Sequence, residues 1–153
     1  MNITNQQQDF INTHFHEGIQ QSELDESIFR ALKTTEELHY LATHHNWDNG
    51  VKVLQWIVES PICSEAIALE LFWLAQPQDF QQCKLDITLQ DEYLNEVFTL
   101  LKTILKNYPD NFYKKQVVSL IRHHFMKMSS LFPTGFIRKP MAKTAMCTTK
   151  RMT

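Results

Sequence analysis

Apolar residues along this chain recur at helical spacing, and alternating apolar–polar runs are nearly absent. Tyr93, Leu94, Val97, Phe98, Leu101, Ile104 and Leu105 form the longest stripe at i, i+3, i+4 spacing, the signature of an amphipathic helix. Shorter stripes are Leu38, Leu41 and Ala42, then Val53, Leu54, Ile57 and Val58, and again Val117, Val118, Leu120, Ile121, Phe125 and Met128. Residues 65–75 are apolar on nearly every face, which marks a helix surrounded by others. The one period-2 run, Leu85 to Leu89, is too isolated for a sheet and reads as a loop or brief extended link. Only three glycines occur in 153 residues (Gly18, Gly50, Gly135), against an average near 7%. Folds built on many tight turns or on phosphate-cradling loops are therefore disfavoured.

Helix-start signals punctuate the stripes. Thr4-x-x-Gln7, Ser22-x-x-Asp25, Thr34-x-x-Glu37 and Thr88-x-x-Asp91 match the capping box or its aspartate relative. Ser60-Pro61 reads as an N-cap with proline at the first helical position, and Asp110 as a cap for the last long helix. These signals predict helices near 5–16, 23–32, 35–45, 50–59, 62–75, 91–107 and 111–129. The expected fold is all-α: a compact or solenoid-like stack of about seven short antiparallel helices. A single helical domain would span residues 1–132, and residues 133–153, with five bases and no acid, read as a basic C-terminal tail.

The formal net charge of −2 hides a division. Residues 1–101 hold sixteen acids and four bases, a net −12, whereas residues 102–153 hold eleven bases and one acid, a net +10. Such asymmetry points to charged partners or a charged tail. The first residues show no basic and apolar leader, and the longest apolar run, Ala66 to Ala75, is interrupted by Glu70. Neither a secretory signal nor a membrane span is expected. Three cysteines without a C-x-x-C pair (Cys63, Cys83, Cys147) read as free thiols of a cytoplasmic protein.

Residues 38–75, LHYLATHHNWDNGVKVLQWIVESPICSEAIALELFWLA, are the most distinctive stretch. Their frame is L-H-x-L-A, N-W-D-x-G, W-I, P-x-C and A-L-x-L-F-W, and it resembles an uncharacterised bacterial family of unknown function. The resemblance implies a small, largely helical protein with no assigned catalytic activity. Small proteins of this sort often stand beside secreted bacterial toxins, which implies an immunity role.

No residue pattern points to catalysis: there is no glycine-rich phosphate loop and no G-x-S-x-G elbow. Seven histidines are present, but neighbours such as His44 and His45 point about 100° apart on a helix and cannot readily chelate together. Neither a metal nor a cofactor is expected. Within Asn46 to Gly50, Asp48 or Asn49 can cap the next helix, and Trp47 with Asp48 can sit at a loop tip and grip a partner. Trp56 and Trp73 fall inside apolar stretches and read as core. The expectation is a non-enzymatic, protein-binding protein, an immunity protein whose acidic surface neutralises a cognate toxin. Trp47, Asp48, Glu59, Glu65, Asp79 and Asp86 are its candidate partner-binding residues. The alternative is a nucleic-acid-binding module that uses residues 102–153, with Lys114, Lys115 and Arg122 contacting phosphates. The basic third can equally dock on the acidic body or on a second copy, which leaves a homodimer open.

Overall fold

The computed structural model describes residues 2–84 and 87–115. Two helices start where their capping boxes place them. Helix α1 (Asn5–His14) opens on Thr4, whose hydroxyl accepts the Gln7 N–H at 3.2 Å while the Thr4 N–H donates to the Gln7 side chain at 2.8 Å. Helix α3 (Thr35–His44) opens on Thr34 in the same way. Here the reciprocal acceptor is Glu37, a buried carboxylate that takes the N–H groups of Lys33 and Thr34, both at 2.9 Å, and the Thr34 hydroxyl. Burial alone pushes the Glu37 carboxyl up, but these donors together hold it below its ordinary value. Replacing Thr34 with alanine removes one of the three donors and the cap acceptor. A loss of about 1 kcal/mol in urea-measured stability is expected; a loss below a few tenths would mean that Glu37 alone holds the turn.

The other boundaries shift by a few residues. Asp25, not Ser22, caps the short α2 (Glu26–Phe29), accepting the Ser27 N–H at 2.8 Å. Helix α4 (Lys52–Glu59) ends on Ser60, so Ser60-Pro61 closes a helix instead of opening one. The cap of α5 (Glu65–Leu74) is Ser64, whose hydroxyl accepts the Ile67 N–H at 3.3 Å. Likewise Asp91, not Thr88, caps α6 (Glu92–Asn107) and accepts the Leu94 N–H at 2.8 Å. In each case the cap lies immediately before the first residue whose N–H needs an acceptor.

The expected seventh helix does not begin at residue 111. Asn111 adopts a left-handed conformation with φ 54°, and Asp110 caps nothing there. The chain instead runs extended beside the start of α5. Ser64 and Lys114 form a parallel bridge: the Lys114 N–H donates to the Cys63 carbonyl at 2.9 Å, and the Glu65 N–H donates to the Lys114 carbonyl at 3.0 Å. This segment satisfies backbone groups that would otherwise be orphaned at a buried helix start. The remainder of that helix, 116–129, and the tail 133–153 lie outside the described residues.

Six α-helices and three single 3-10 turns are thus present among the described residues, without a strand. Helix α4 packs on α6, α5 on α3 and α6, and α1 on α3. The core is built from Leu54, Ile57 and Val58 of α4, Ile67 and Phe72 of α5, and Phe98, Leu101 and Ile104 of α6. Helix α5 is buried round most of its circumference, with Glu70 and Leu74 exposed, Leu74 at 53%. Cys63 is a free, buried thiol, pushed up to about 12 by burial and therefore unreactive. Cys83 is disulfide-bonded, so the expectation of free thiols fails there: spacing along the chain does not report which sulfurs meet in space. No helix among the described residues is long and apolar enough to cross a membrane.

Candidate functional site

The N-W-D-N-G turn forms one end of the site. Asn46 accepts the Asp48 N–H at 3.0 Å and starts a 3-10 turn over Trp47–Asn49. Gly50 then leaves it at φ 89° and ψ 178°, a region essentially reserved for glycine. The turn is tied outward, since the Asn49 side chain donates to the Glu17 carbonyl at 2.7 Å. Neither Asp48 nor Asn49 caps α4, as the sequence suggested. Gln21 does, from 31 residues away: its carboxamide oxygen accepts the Lys52 N–H at 2.9 Å. A Cβ on Gly50 would strike that same carboxamide, so the turn and the remote cap require each other. Trp47 lies partly buried against the core, and Asp48 is exposed.

His45 closes the turn from within, with its Nε2 2.7 Å from the Gly50 carbonyl. That contact requires the proton on Nε2. Burial holds the imidazole below its ordinary pKa, and the Gly50 carbonyl only partly offsets this. The unfolded chain therefore binds a proton that the folded one refuses. Stability is full above the unfolded value near 6.5 and falls as pH drops toward the lower folded value. Urea midpoints measured between pH 7.5 and 5 should fall for the natural protein and fall less for His45→Gln. Identical slopes would exclude His45 as the titrating group.

Helix α4 separates core and surface cleanly. Val53, Leu54, Ile57 and Val58 are buried, while Lys52, Gln55, Trp56 and Glu59, at i, i+3, i+4 and i+7, form the opposite face. Trp56 is partly buried and stands as a ridge between two depressions. On one side a cavity of about 600 Å³ lies against α2, where Phe29 meets Trp56 with ring centroids 5.5 Å apart. On the other, a groove of about 240 Å³ between α4 and α6 is lined by Gln55, Trp56, Glu59, Asn95, Glu96 and Thr99. The Gln55 amide donates to Glu59 at 2.7 Å and to the Thr103 hydroxyl at 2.8 Å, fixing the wall. Its carbonyl oxygen is buried without a hydrogen-bond partner. Lys52 places its ammonium 5.3 Å from the Trp56 ring centroid.

This groove joins sites that are far apart in sequence. Gln21, the cap of α4, also donates to Glu96 at 3.4 Å. Beside Glu96 stands Tyr93, 43% exposed; burial pushes its hydroxyl up, and the carboxylates of Asp48 and Glu96 push it further. Acids thus extend from Asp48 past Tyr93 and Glu96 to Glu59, with Trp56 among them. Two expected residues, Asp48 and Glu59, belong to this surface, and Trp47 flanks it. Trp56, read from sequence as core, does pack against the core and Phe29, and it also lines this groove. The signal was present in the helical wheel: at 100° per residue Trp56 lies about 130° from the centre of the apolar stripe.

The remaining candidates fall elsewhere. Glu65 is the first residue of α5, partly buried, with its backbone bonded to Lys114. Asp79 is exposed on the 3-10 turn over Pro77–Phe80. Lys114 and Lys115 are exposed, and Lys114 is clipped beside Glu65, so the acidic and basic parts of the chain meet there. Asp86 and Arg122 lie outside the described residues. His39 faces Glu70 at 3.6 Å, and no group of three or more His, Cys, Asp or Glu side chains among the described residues is placed to hold a metal ion.

Fold and site define a small all-α domain with an acidic, tryptophan-lined groove. The family model described as Domain of unknown function (DUF4274) matches residues 33–109, half of the chain, and the protein belongs to that family. Residues 38–75 lie inside the matched span. No curated protein and no solved structure matches the chain.

Proposed function

We propose that the protein is a non-enzymatic, protein-binding protein, an immunity protein that neutralises a cognate bacterial toxin through its acidic surface. The observation that carries this reading is the α4–α6 groove, which Trp56 lines together with Glu59 and Glu96 and beyond which lie Tyr93 and Asp48. Partly exposed tryptophan and tyrosine are the residue types that supply most binding energy at protein interfaces. Carboxylates around them steer a basic partner and select its register.

The test is a pull-down from the native bacterium with the tagged protein. A toxin-like protein should be recovered, and Trp56→Ala should reduce the yield by at least tenfold, equivalent to about 1.4 kcal/mol or more. Recovery of no such protein would remove the immunity reading. Nucleic acid in the eluate instead would turn attention to Lys114 and Lys115.

A further inference from the structure

The groove's chemistry narrows what it can hold. Its lining holds Trp56 and Glu59 from α4 and Glu96 from α6, with neutral Asn95 and Thr99 beside Glu96 on α6. The unpaired Gln55 carbonyl adds negative potential where water does not reach it. The single opposing charge is Lys52, whose ammonium lies over the indole and donates to the Gln21 carbonyl at 3.3 Å. Two carboxylates and a buried acceptor thus outweigh one ammonium.

We infer that the α4–α6 groove is a receptor for an arginine side chain presented by the partner protein. A guanidinium is planar, stacks on an indole face, and offers donors in a fork that matches a carboxylate such as Glu59 or Glu96. A lysine ammonium has the charge but neither the plane nor the fork, and a neutral side chain has no reason to displace Lys52. Lys52 is then an internal competitor, occupying the field until the guest arrives. The inference rests on this face being the partner-binding one, but it can be tested without the partner.

The probe is the peptide acetyl-Gly-Arg-Gly-amide, titrated at low salt and followed by the Trp56 indole and the Glu96 and Thr99 amides in NMR. Saturable shifts are expected, at least about fivefold weaker for the lysine peptide and absent for the citrulline peptide. Glu59→Gln and Glu96→Gln should each weaken the arginine peptide about five- to tenfold, as expected for losing one charge-assisted contact. Lys52→Met should tighten it several-fold, an outcome that general surface attraction to acids also allows but a folding defect does not. Absence of saturable shifts, equal shifts with citrulline, or indifference to both glutamine substitutions would overturn the inference. The pull-down separates the two claims. A partner held equally by the natural protein and the Glu59→Gln/Glu96→Gln double variant leaves protein binding intact and removes the arginine receptor. Arginine binding without any recovered toxin does the reverse.

Discussion

Replacing Gly50 with alanine is expected to destabilise the protein by about 3 kcal/mol, because backbone strain and a lost helix cap act together. A non-glycine residue held at φ 89° and ψ 178° costs about 1–3 kcal/mol on its own. The new Cβ also meets the Gln21 carboxamide, which cannot move without releasing the Lys52 N–H it accepts at 2.9 Å. Losing a side-chain cap adds about 1 kcal/mol. Urea unfolding of Gly50→Ala, Gln21→Ala and the double variant separates the terms. Gln21→Ala alone should cost about 1 kcal/mol. The double variant should lie close to Gly50→Ala, since the clash is relieved while the strain and the lost cap remain. A Gly50→Ala protein within about 0.5 kcal/mol of the natural one, the range of an ordinary surface substitution, would refute the mutual dependence of turn and cap. The same substitution should disturb the groove, because Gln21 also holds Glu96.

A larger loss is expected at Phe98. Its ring is fully buried and lies parallel to Phe80, with centroids 5.4 Å apart and planes 6° from parallel. Phe98→Ala removes the ring from a packed interior and should cost about 3–5 kcal/mol. Phe98→Leu keeps most of the volume and should cost about 1.5 kcal/mol. The two variants differ in where the damage is felt. Phe80 belongs to the short 3-10 turn over Pro77–Phe80, which has few hydrogen bonds of its own, whereas α4 has a full helical ladder. Amide exchange should therefore accelerate in residues 77–84 before it does in α4. Uniform acceleration across both would indicate that Phe98 supports the whole core equally.

What could be read in advance follows the range of the interaction involved. Thr4 and Thr34 were legible as caps because their partners, Gln7 and Glu37, lie three residues on. The apolar stripes of α4 and α6 were legible for the same reason, since periodicity is a local property. The cap of α4 was not, because its acceptor is Gln21 and nothing near Lys52 announces it. The seventh helix failed at its start because Lys114 satisfies the backbone at Cys63 and Glu65, a contact across some fifty positions. Asp48 and Glu59 looked like separate acids until α6 brought Tyr93 and Glu96 between them. Trp56 is a different case. Its angle on the wheel places it on the outer face while its hydrophobicity favours the core, and an indole satisfies both by lying half-buried.

The clip between Ser64 and Lys114 also bears on how the chain assembles during translation. Synthesis proceeds from the N-terminus, and helices α1 to α5 emerge before residue 114 does. Until then the Glu65 N–H and the Cys63 carbonyl, which flank Ser64 and point toward the same neighbour, have only water to bond. The nascent chain can form its helices one after another, yet the start of α5 is completed only when Lys114 arrives. The matched span, 33–109, stops short of that closing contact. A fragment cut at 109 would carry every helix of the family region and leave the seam at Cys63 and Glu65 open.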